Sequence, residues 1–216
     1  AASDVYKRQM QMGVARGIFS NESGMGSAAI AAAAAKTTHP VRQGLVSMTQ
    51  TFIDTIIVVT MTGLVIITTG VWDTGEDNAA NMTAQAFSKG IGSEWGGTIV
   101  SLSIVFFAFS TILGWSYYGE RNAERAFGPW ASLPYRMLFT CVVFVGATTE
   151  IGLAWTFADI ANGLMALPNL VGLLILSGLI ARETKAYLDF DPTLRARPED
   201  VEKFLVDTKN PWRSAL

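Results

Sequence analysis

The chain has 216 residues, of which half are hydrophobic and only 16% are charged, and its formal net charge is −2 at pH 7. Because soluble domains are about a quarter charged, this composition argues against a soluble enzyme, and the lack of a basic excess argues against a nucleic-acid-binding protein. The apolar content also argues against a disordered chain, and the single cysteine, Cys141, excludes a disulfide scaffold. A polytopic helical membrane protein remains.

The chain begins with a polar segment, residues 1–9, which is predicted to be foreign to the protein or disordered. Apolar runs follow, each near the ~20 residues with which a helix crosses the hydrocarbon of a bilayer. In chain order they cover residues 10–35, 44–70, 96–119, 133–149 and 151–181. Residues 184–216 carry both charge signs and three prolines, and are predicted to form a polar tail with one short helix.

The last apolar run contains Pro168 near its middle. A proline removes a backbone donor and clashes with the preceding helical turn. This run is therefore predicted to form a short helix over residues 153–167 followed by a span over residues 168–181, or alternatively two full spans.

Loop charges favour the first of these alternatives. The loop after the first run contains Lys36 and Arg42 and no acid, the next loop is mainly acidic, and the third contains three arginines. By the positive-inside rule the first and third loops are cytoplasmic. A tail on the same side requires an odd number of crossings, which predicts five spans, a multi-pass protein of the cell inner (plasma) membrane and a cytoplasmic C-terminus.

A polar, glycine-rich stretch at residues 20–27 interrupts the first span, and a dense small-residue helix is predicted to resume over residues 28–35. Irregular backbone is tolerated at membrane depth only where protein buries it or a polar cavity receives it. Discontinuous membrane helices offer free N–H and carbonyl groups that bind anionic groups and cations. The break therefore predicts a site for a small amino acid and Na⁺.

Other interpretations of this stretch are weaker or compatible with it. Gly13 and Gly17 are spaced as in a helix-packing face, which does not exclude a break. The spacing Gly24-x-Gly26 resembles a dinucleotide fingerprint in letters, but neither the preceding strand nor the acidic residue that this motif requires is present. The lone His39 lies in a loop, so no Ser/His/Asp catalytic set can be formed and no catalytic residue is predicted.

Three strings resemble the alanine/glycine:cation symporter family, the sodium:alanine symporters, over about residues 10–183. They are GVARGIFSNESGMGSA at residues 13–28, AFSTILGWSYYGE at residues 108–120 and NGLMALPNL at residues 162–170. The resemblance implies an all-α membrane protein with a leucine-transporter-like inverted-repeat fold. Residues 10–183 would be its transmembrane helices six to ten, the second five-helix repeat, and residues 184–216 its cytoplasmic tail. Helices one to five, the missing N-terminal half of the same protein, would be its partner.

The resemblance also implies roles for residues of the broken helix. Phe19, Ser20 and Asn21 are expected to line the substrate pocket, while Gly24 and Gly26 allow close approach of the backbone.

Further roles fall on later helices. Trp155 is expected to contribute to the substrate site as part of an outer gate. The resemblance implies a sodium site formed by the carbonyl of Phe107 and the hydroxyls of Ser110 and Thr111. The alternative is that these hydroxyls bond carbonyls of their own helix.

Two acids lie within predicted spans, where ionisable residues are functional or structurally paired. Glu22 is expected to support the break, and Asp54 is expected to be a neighbour of the ion or pocket, or a partner for nearby polar groups.

The resemblance implies sodium-coupled symport of a small neutral amino acid by alternating access, with sodium as coupling ion and no cofactor. Alanine, glycine and a D-amino acid remain alternatives as substrate. A proton-coupled permease, in which Glu22 or Asp54 titrates, and a non-transporting membrane scaffold are the alternative functions.

Overall fold

The structure is a computed structural model and describes residues 2–75 and 78–206. Every regular element in those ranges is a helix. The chain divides into two compact units, of which one contains residues up to 51 together with those from 156 onward, and the other contains residues 52–155. Two long helices pass from one unit into the other along the chain.

Four helices of the described residues are long and apolar enough to cross a membrane. They are Pro40–Thr69, Trp95–Phe127, Pro129–Thr148 and Ile151–Phe190. Their apolar side chains are largely exposed, as expected where lipid or another part of the protein would cover them. The prediction of a polytopic helical membrane protein is confirmed, and the fifth crossing, predicted at residues 10–35, stays a prediction.

In the first unit, helix α1 covers Ala2–Asn21, α2 covers Ser27–Ala33 and α3 covers Pro40–Thr51. The expectation that residues 1–9 lack structure is wrong for residues 2–9, which form the first turns of α1. These residues contain neither glycine nor proline, so nothing in them interrupts the hydrogen bonding of the helix.

The last apolar run forms one unbroken helix, α8, over Ile151–Phe190. The predicted break at Pro168, and the alternative of two spans, are both wrong. Pro168 cannot donate to the carbonyl of Leu164, but the loss of one bond leaves the remaining turns intact, and proline is tolerated in membrane helices. The helix also continues into the segment that was predicted to be tail.

The tail contains the short helix that was predicted, α9, over Pro198–Val206. A group of side chains, which we call the tail cluster, joins this part of the chain to the start of α3. The cluster consists of buried His39, Tyr187 and Asp191 and half-buried Arg42 and Phe204. The ring of Phe204, in α9, lies 6.0 Å from that of Tyr187. The Arg42 guanidinium donates to Asp191 Oδ2 at 2.7 Å and to Tyr187 Oη at 2.5 Å. The composition predicted a polar tail, but these contacts hold part of it against the rest of the chain.

Burial and charge perturb two groups of the tail cluster. The His39 ring stacks on Tyr187 at 4.0 Å and is only 1% exposed. Burial, and then the neighbouring Arg42, lower the pKa of His39. Burial alone would raise the pKa of Asp191, but hydrogen bonds from Arg42 and from two backbone N–H groups lower it to about 2. The cluster is thus built for a neutral imidazole beside an ionised carboxylate.

The second unit begins with a π-helical stretch, Phe52–Val59, which continues α3 and leads into α4, Thr60–Thr69. After a 3₁₀ turn at Val71–Asp73, helix α5 covers Ala79–Ile91. Helix α6 covers Trp95–Phe127, and a second 3₁₀ turn, Pro129–Ala131, leads to α7, Ser132–Thr148.

Helix α5 was not predicted, because the sequence of this loop was interpreted only through its acidic charge. Its chain packs closely against the start of α6. A Cβ atom on Gly96 would lie 2.5 Å from the carbonyl oxygen of Phe87, and the N–H of Gly97 donates to Ser88 Oγ at 2.9 Å. Glycine at these two positions allows the contact.

A buried carboxylate links α6 to α7. Glu120 is 5% exposed and accepts hydrogen bonds from Ser132 Oγ at 2.5 Å and from two nitrogens of Arg136 at 2.7 and 2.9 Å. The two helices approach closely beside this contact, since a Cβ atom on Gly119 would overlap the hydroxyl of Tyr135. Charge-assisted hydrogen bonds therefore join the two ends of the basic loop between α6 and α7.

Candidate functional site

The predicted interruption of the first apolar run is confirmed. Helix α1 ends at Asn21 and α2 begins at Ser27, so residues 22–26 are unwound between them. Gly24 and Gly26 have φ angles of 77° and 84°, in the left-handed region that glycine adopts without steric penalty. The sequence breaks the helix here because two glycines close together supply this backbone conformation.

Glu22 also lies in the left-handed region, with a φ of 53°. For a residue with a Cβ atom this conformation costs about 1–2 kcal/mol. Such strain persists where the surroundings over-determine it, and it is concentrated at functional sites. The strain at Glu22 therefore marks this stretch as more than a loop between two helices.

Two polar side-chain atoms at the break are buried and accept or donate no hydrogen bond within the described part of the chain. They are Glu22 Oε2 and Ser27 Oγ, and Ser27 itself is only 2% exposed. Buried polar groups are nearly always paired in folded proteins, so each exception calls for an explanation. A bound cation, an amino acid or water would each supply the missing partner.

The structure places the three predicted pocket residues at the C-terminal end of α1, directly before the break. Phe19 and Asn21 are half-buried and Ser20 is exposed. The structure thus brings these three side chains to the end of α1, next to Gly24 and Gly26 of the unwound stretch, while their role in binding stays a prediction.

A contact that was not predicted fixes the unwound stretch. Asn169 of α8 donates from Nδ2 to the carbonyl oxygen of Gly24 at 2.8 Å. A Cβ atom on Gly26 would lie 2.9 Å from Asn169 Oδ1, and one on Gly24 would lie 3.5 Å from the side chain of Leu170. The string at residues 162–170, quoted for its resemblance alone, thus packs against the string at residues 13–28. No spacing rule links residues 145 positions apart.

An ion pair makes a second link between α1 and α8. Arg16 donates to Asp159 from two nitrogens, at 2.6 and 3.4 Å. Both side chains are partly exposed, at 35% and 45%. The fork of an arginine suits the two oxygens of a carboxylate, so the pair is a two-pronged contact between the helices.

The three predicted sodium ligands lie in the second unit, on an exposed part of α6. Ser110 Oγ donates to the carbonyl oxygen of Phe107 at 2.9 Å, the arrangement named as the alternative to ion binding. Thr111 lies next to Ser110, so all three oxygens lie within one turn of the helix. A hydroxyl that donates to a carbonyl retains lone pairs for a cation, and the sodium role stays a prediction.

Asp54 and Trp155 also lie in the second unit. Asp54 is half-buried within the π-helical stretch Phe52–Val59. π-Helical turns are rare and are frequent at functional sites. This feature could not be predicted, because the apolar run is equally compatible with a regular α-helix. Trp155 is 39% exposed near the start of α8. The proposed roles of both residues stay predictions.

These features define a polytopic membrane protein. It has four apolar helices, preceded by a helix with a polar break, and one of the four, α8, donates a hydrogen bond to that break. A family model, described as the sodium:alanine symporter family, matches residues 1–200. The chain belongs to this family, which is one of transporters and not of enzymes.

Curated proteins of similar sequence agree with this assignment. The chain is 53% identical over 178 residues to a protein named sodium/alanine symporter AgcS of Methanococcus maripaludis, covering 81% of this chain and 39% of that protein. It is 54% identical over 180 residues to an uncharacterized transporter of Haemophilus influenzae, covering 83% and 40%. It is 34% identical over 188 residues to a probable sodium/glutamine symporter, GlnT, of Bacillus subtilis, covering 87% and 39%.

The chain therefore spans about two fifths of the length of the curated relatives that it matches. No solved structure matches it.

Proposed function

We propose that the chain is the second half of a secondary active transporter that couples the inward movement of Na⁺ to that of a small neutral amino acid, alanine or glycine. The observation that carries the proposal is the unwound stretch at residues 22–26, which joins two helices within the part of the chain that the family model matches. An interrupted helix inside a bilayer offers backbone groups where a continuous helix would offer none.

The fold follows from the same proposal. Residues 10–183 would form helices six to ten, the second repeat of a leucine-transporter-like fold, and would act with an N-terminal half that supplies helices one to five. The basic loops after the first and third runs support a cytoplasmic position for both loops. With an odd number of crossings, the tail of residues 184–216 would lie on the same side of the plasma membrane.

In this arrangement the end of α1 faces the substrate. Phe19 would limit the size of the amino acid's side chain, while Ser20 and Asn21 offer polar atoms. Gly24 and Gly26 let the substrate approach the backbone closely, and Trp155 would close the outer side. A small pocket is consistent with a substrate such as alanine or glycine.

Sodium would bind the carbonyl of Phe107 and the hydroxyls of Ser110 and Thr111. Oxygen atoms of neutral groups suit a hard monovalent cation. The Ser110 hydroxyl, which donates to the Phe107 carbonyl at 2.9 Å, retains lone pairs that could accept such an ion. Inward movement of one charge through 100 mV supplies about 2.3 kcal/mol, which would drive uptake against a gradient.

The experiment is uptake of labelled alanine by the full-length protein in proteoliposomes. A sodium gradient should drive uptake and a potassium gradient should not. Substitution of both Ser110 and Thr111 by alanine should raise the sodium concentration for half-maximal uptake about tenfold or more, since a lost ligand pair weakens binding by at least ~1.4 kcal/mol.

The matched control is Thr140→Ala, which removes a hydroxyl that also bonds a carbonyl of its own helix, Arg136 O, at 2.9 Å. It should leave the sodium dependence unchanged. Uptake that persists without sodium would overturn the coupling ion, and no uptake under any gradient would indicate the scaffold. Competition by unlabelled glycine, alanine and glutamine identifies the substrate.

A proton-coupled permease is the second candidate, and the observation that favours it is the buried Glu22 Oε2, which has no partner in the described part of the chain. Ionisable residues within membrane spans mark substrate, ion or proton pathways. Uptake driven by a pH gradient without sodium, and abolished by Glu22→Gln, would establish this alternative. Sodium-driven uptake that survives Glu22→Gln would remove it.

A further inference from the structure

Asn169 of α8 donates a side-chain hydrogen bond to the unwound backbone. Its Nδ2 donates to the Gly24 carbonyl at 2.8 Å across 145 residues of sequence. The other half of the same amide occupies the space where a Cβ atom on Gly26 would lie, since Oδ1 is 2.9 Å from that position. One amide thus contacts both glycines of the break.

The contact matters because residues 22–26 lie outside the regular helices. Two long turn contacts join their backbone, from the N–H of Glu22 to the carbonyl oxygen of Phe19 at 3.3 Å and from that of Met25 to the carbonyl oxygen of Glu22 at 3.4 Å. The bond from Asn169 is shorter than either, so a side chain of another helix contributes to the shape of the unwound segment.

The surroundings make that grip firm. Met25 and Ser27, on either side of Gly26, are 3% and 2% exposed. Leu170 Cδ2 lies 3.5 Å from where a Cβ atom on Gly24 would be. Asn169 itself is half-buried. Hydrogen bonds are directional, so this partly buried bond, supported by the packing beside it, can restrict the orientation of the Gly24 carbonyl.

We propose that Asn169 is a positioning residue of the amino-acid site, whose side-chain amide holds the Gly24 carbonyl and the flanking glycines so that the unwound stretch keeps its binding shape. This inference rests on the proposed function. Asn169 does not need to touch the substrate. It acts through residues 22–26, in which small errors of backbone position weaken ligand binding strongly.

The test uses the full-length protein and two variants of one residue. Asn169→Ala removes both the hydrogen bond to Gly24 and the volume of the side chain. Asn169→Asp keeps the size of the side chain but places an acceptor oxygen where the amide donated to the carbonyl of Gly24. If the hydrogen bond does the positioning, Asn169→Asp at pH 7.5 raises the alanine concentration for half-maximal uptake more than Asn169→Ala does. We expect about tenfold for alanine and more for aspartate, the range of a lost bond and of an added repulsion.

The second readout is the pH profile. Partial burial against a carbonyl oxygen favours the protonated form of an aspartate, because that form can donate and the ionised form is repelled. As pH falls towards 5.5, part of Asn169→Asp should therefore take up a proton and donate again to Gly24, so its half-saturation concentration should return towards that of the wild type measured at the same pH. A role in packing alone predicts the reverse order, with Asn169→Ala the worse variant and Asn169→Asp nearly normal at every pH.

Asn122→Ala is the matched control. Asn122 Nδ2 also donates to a backbone carbonyl, that of Tyr118 at 2.9 Å, but within its own helix α6. It should change neither the half-saturation concentration nor the pH profile. Transport by the wild type with unchanged values for both Asn169 variants, or with the packing order, refutes the positioning role alone. A wild type that takes up no amino acid refutes the proposed function, and the inference with it.

Discussion

Three of the glycines with a left-handed backbone differ in how crowded their surroundings are. Comparing alanine substitutions at the three positions therefore tests how tightly the break is packed. Gly26, Gly24 and Gly70 have φ angles of 84°, 77° and 69°. A Cβ atom would lie 2.9 Å from Asn169 Oδ1 at Gly26 and 3.5 Å from Leu170 at Gly24, and would meet nothing within 4 Å at Gly70.

The expected magnitudes follow from these contacts. Substitution by alanine in the left-handed region costs about 1–2 kcal/mol at each of the three positions. At Gly24 the added methyl makes an ordinary contact, so the loss should equal that at Gly70. At Gly26 the methyl overlaps the Asn169 amide, and the overpacking adds about 1–3 kcal/mol. Gly26→Ala should therefore lower the free energy of unfolding by about 2–5 kcal/mol, more than either control.

The assay is thermal unfolding of the purified full-length protein in detergent, followed by tryptophan fluorescence at one heating rate for all variants. The double variant Gly26→Ala/Asn169→Ala tests the cause, because removing the amide should abolish the overlap and leave only the conformational strain. Equal melting temperatures for Gly26→Ala and Gly24→Ala would refute the reasoning, as would a double variant whose two losses simply add.

Two further predictions concern the tail cluster. Arg42→Ala leaves the buried carboxylate of Asp191 without its charged partner, so proteinase K should cut the segment between α8 and α9 at least about tenfold faster; Arg197→Ala, which breaks an exposed ion pair, is the control, and equal cutting of the two variants would contradict the expectation. Because burial and Arg42 lower the pKa of His39, docking of α9 is favoured above the ordinary imidazole value of about 6.5 and weakens as pH falls below it. Hydrogen-exchange protection of residues 198–206, corrected for intrinsic rate, should decline between pH 7.5 and 5.5 in the wild type and not in His39→Gln, and a flat wild-type profile would refute the role of the imidazole.

The amino-acid sequence alone determined the class of protein and the place of its irregular segment. A bilayer requires long stretches without charge, so the spans could be predicted from composition along the chain. The break could be predicted because Gly24 and Gly26 follow a run of small polar residues, and glycine favours the left-handed backbone that ends a helix. These are local properties, which need no knowledge of what lies nearby in space.

The errors have local causes as well. At Pro168 a strong helix breaker was overruled, since a membrane offers the chain no better partner for its backbone than the helix itself. Helix α5 and the π-helical turn around Asp54 were missed because charge and hydropathy do not distinguish them from a loop or a regular helix.

Only the tertiary structure decided which side chains meet. The grip of Asn169 on Gly24, the pair of Arg16 with Asp159 and the tail cluster around Asp191 each join residues more than 140 positions apart. Helical periodicity relates residues three or four positions apart and carries no information at that range. The sequence could place a break in the first helix, but only the packing of α8 against it shows how the unwound backbone is held.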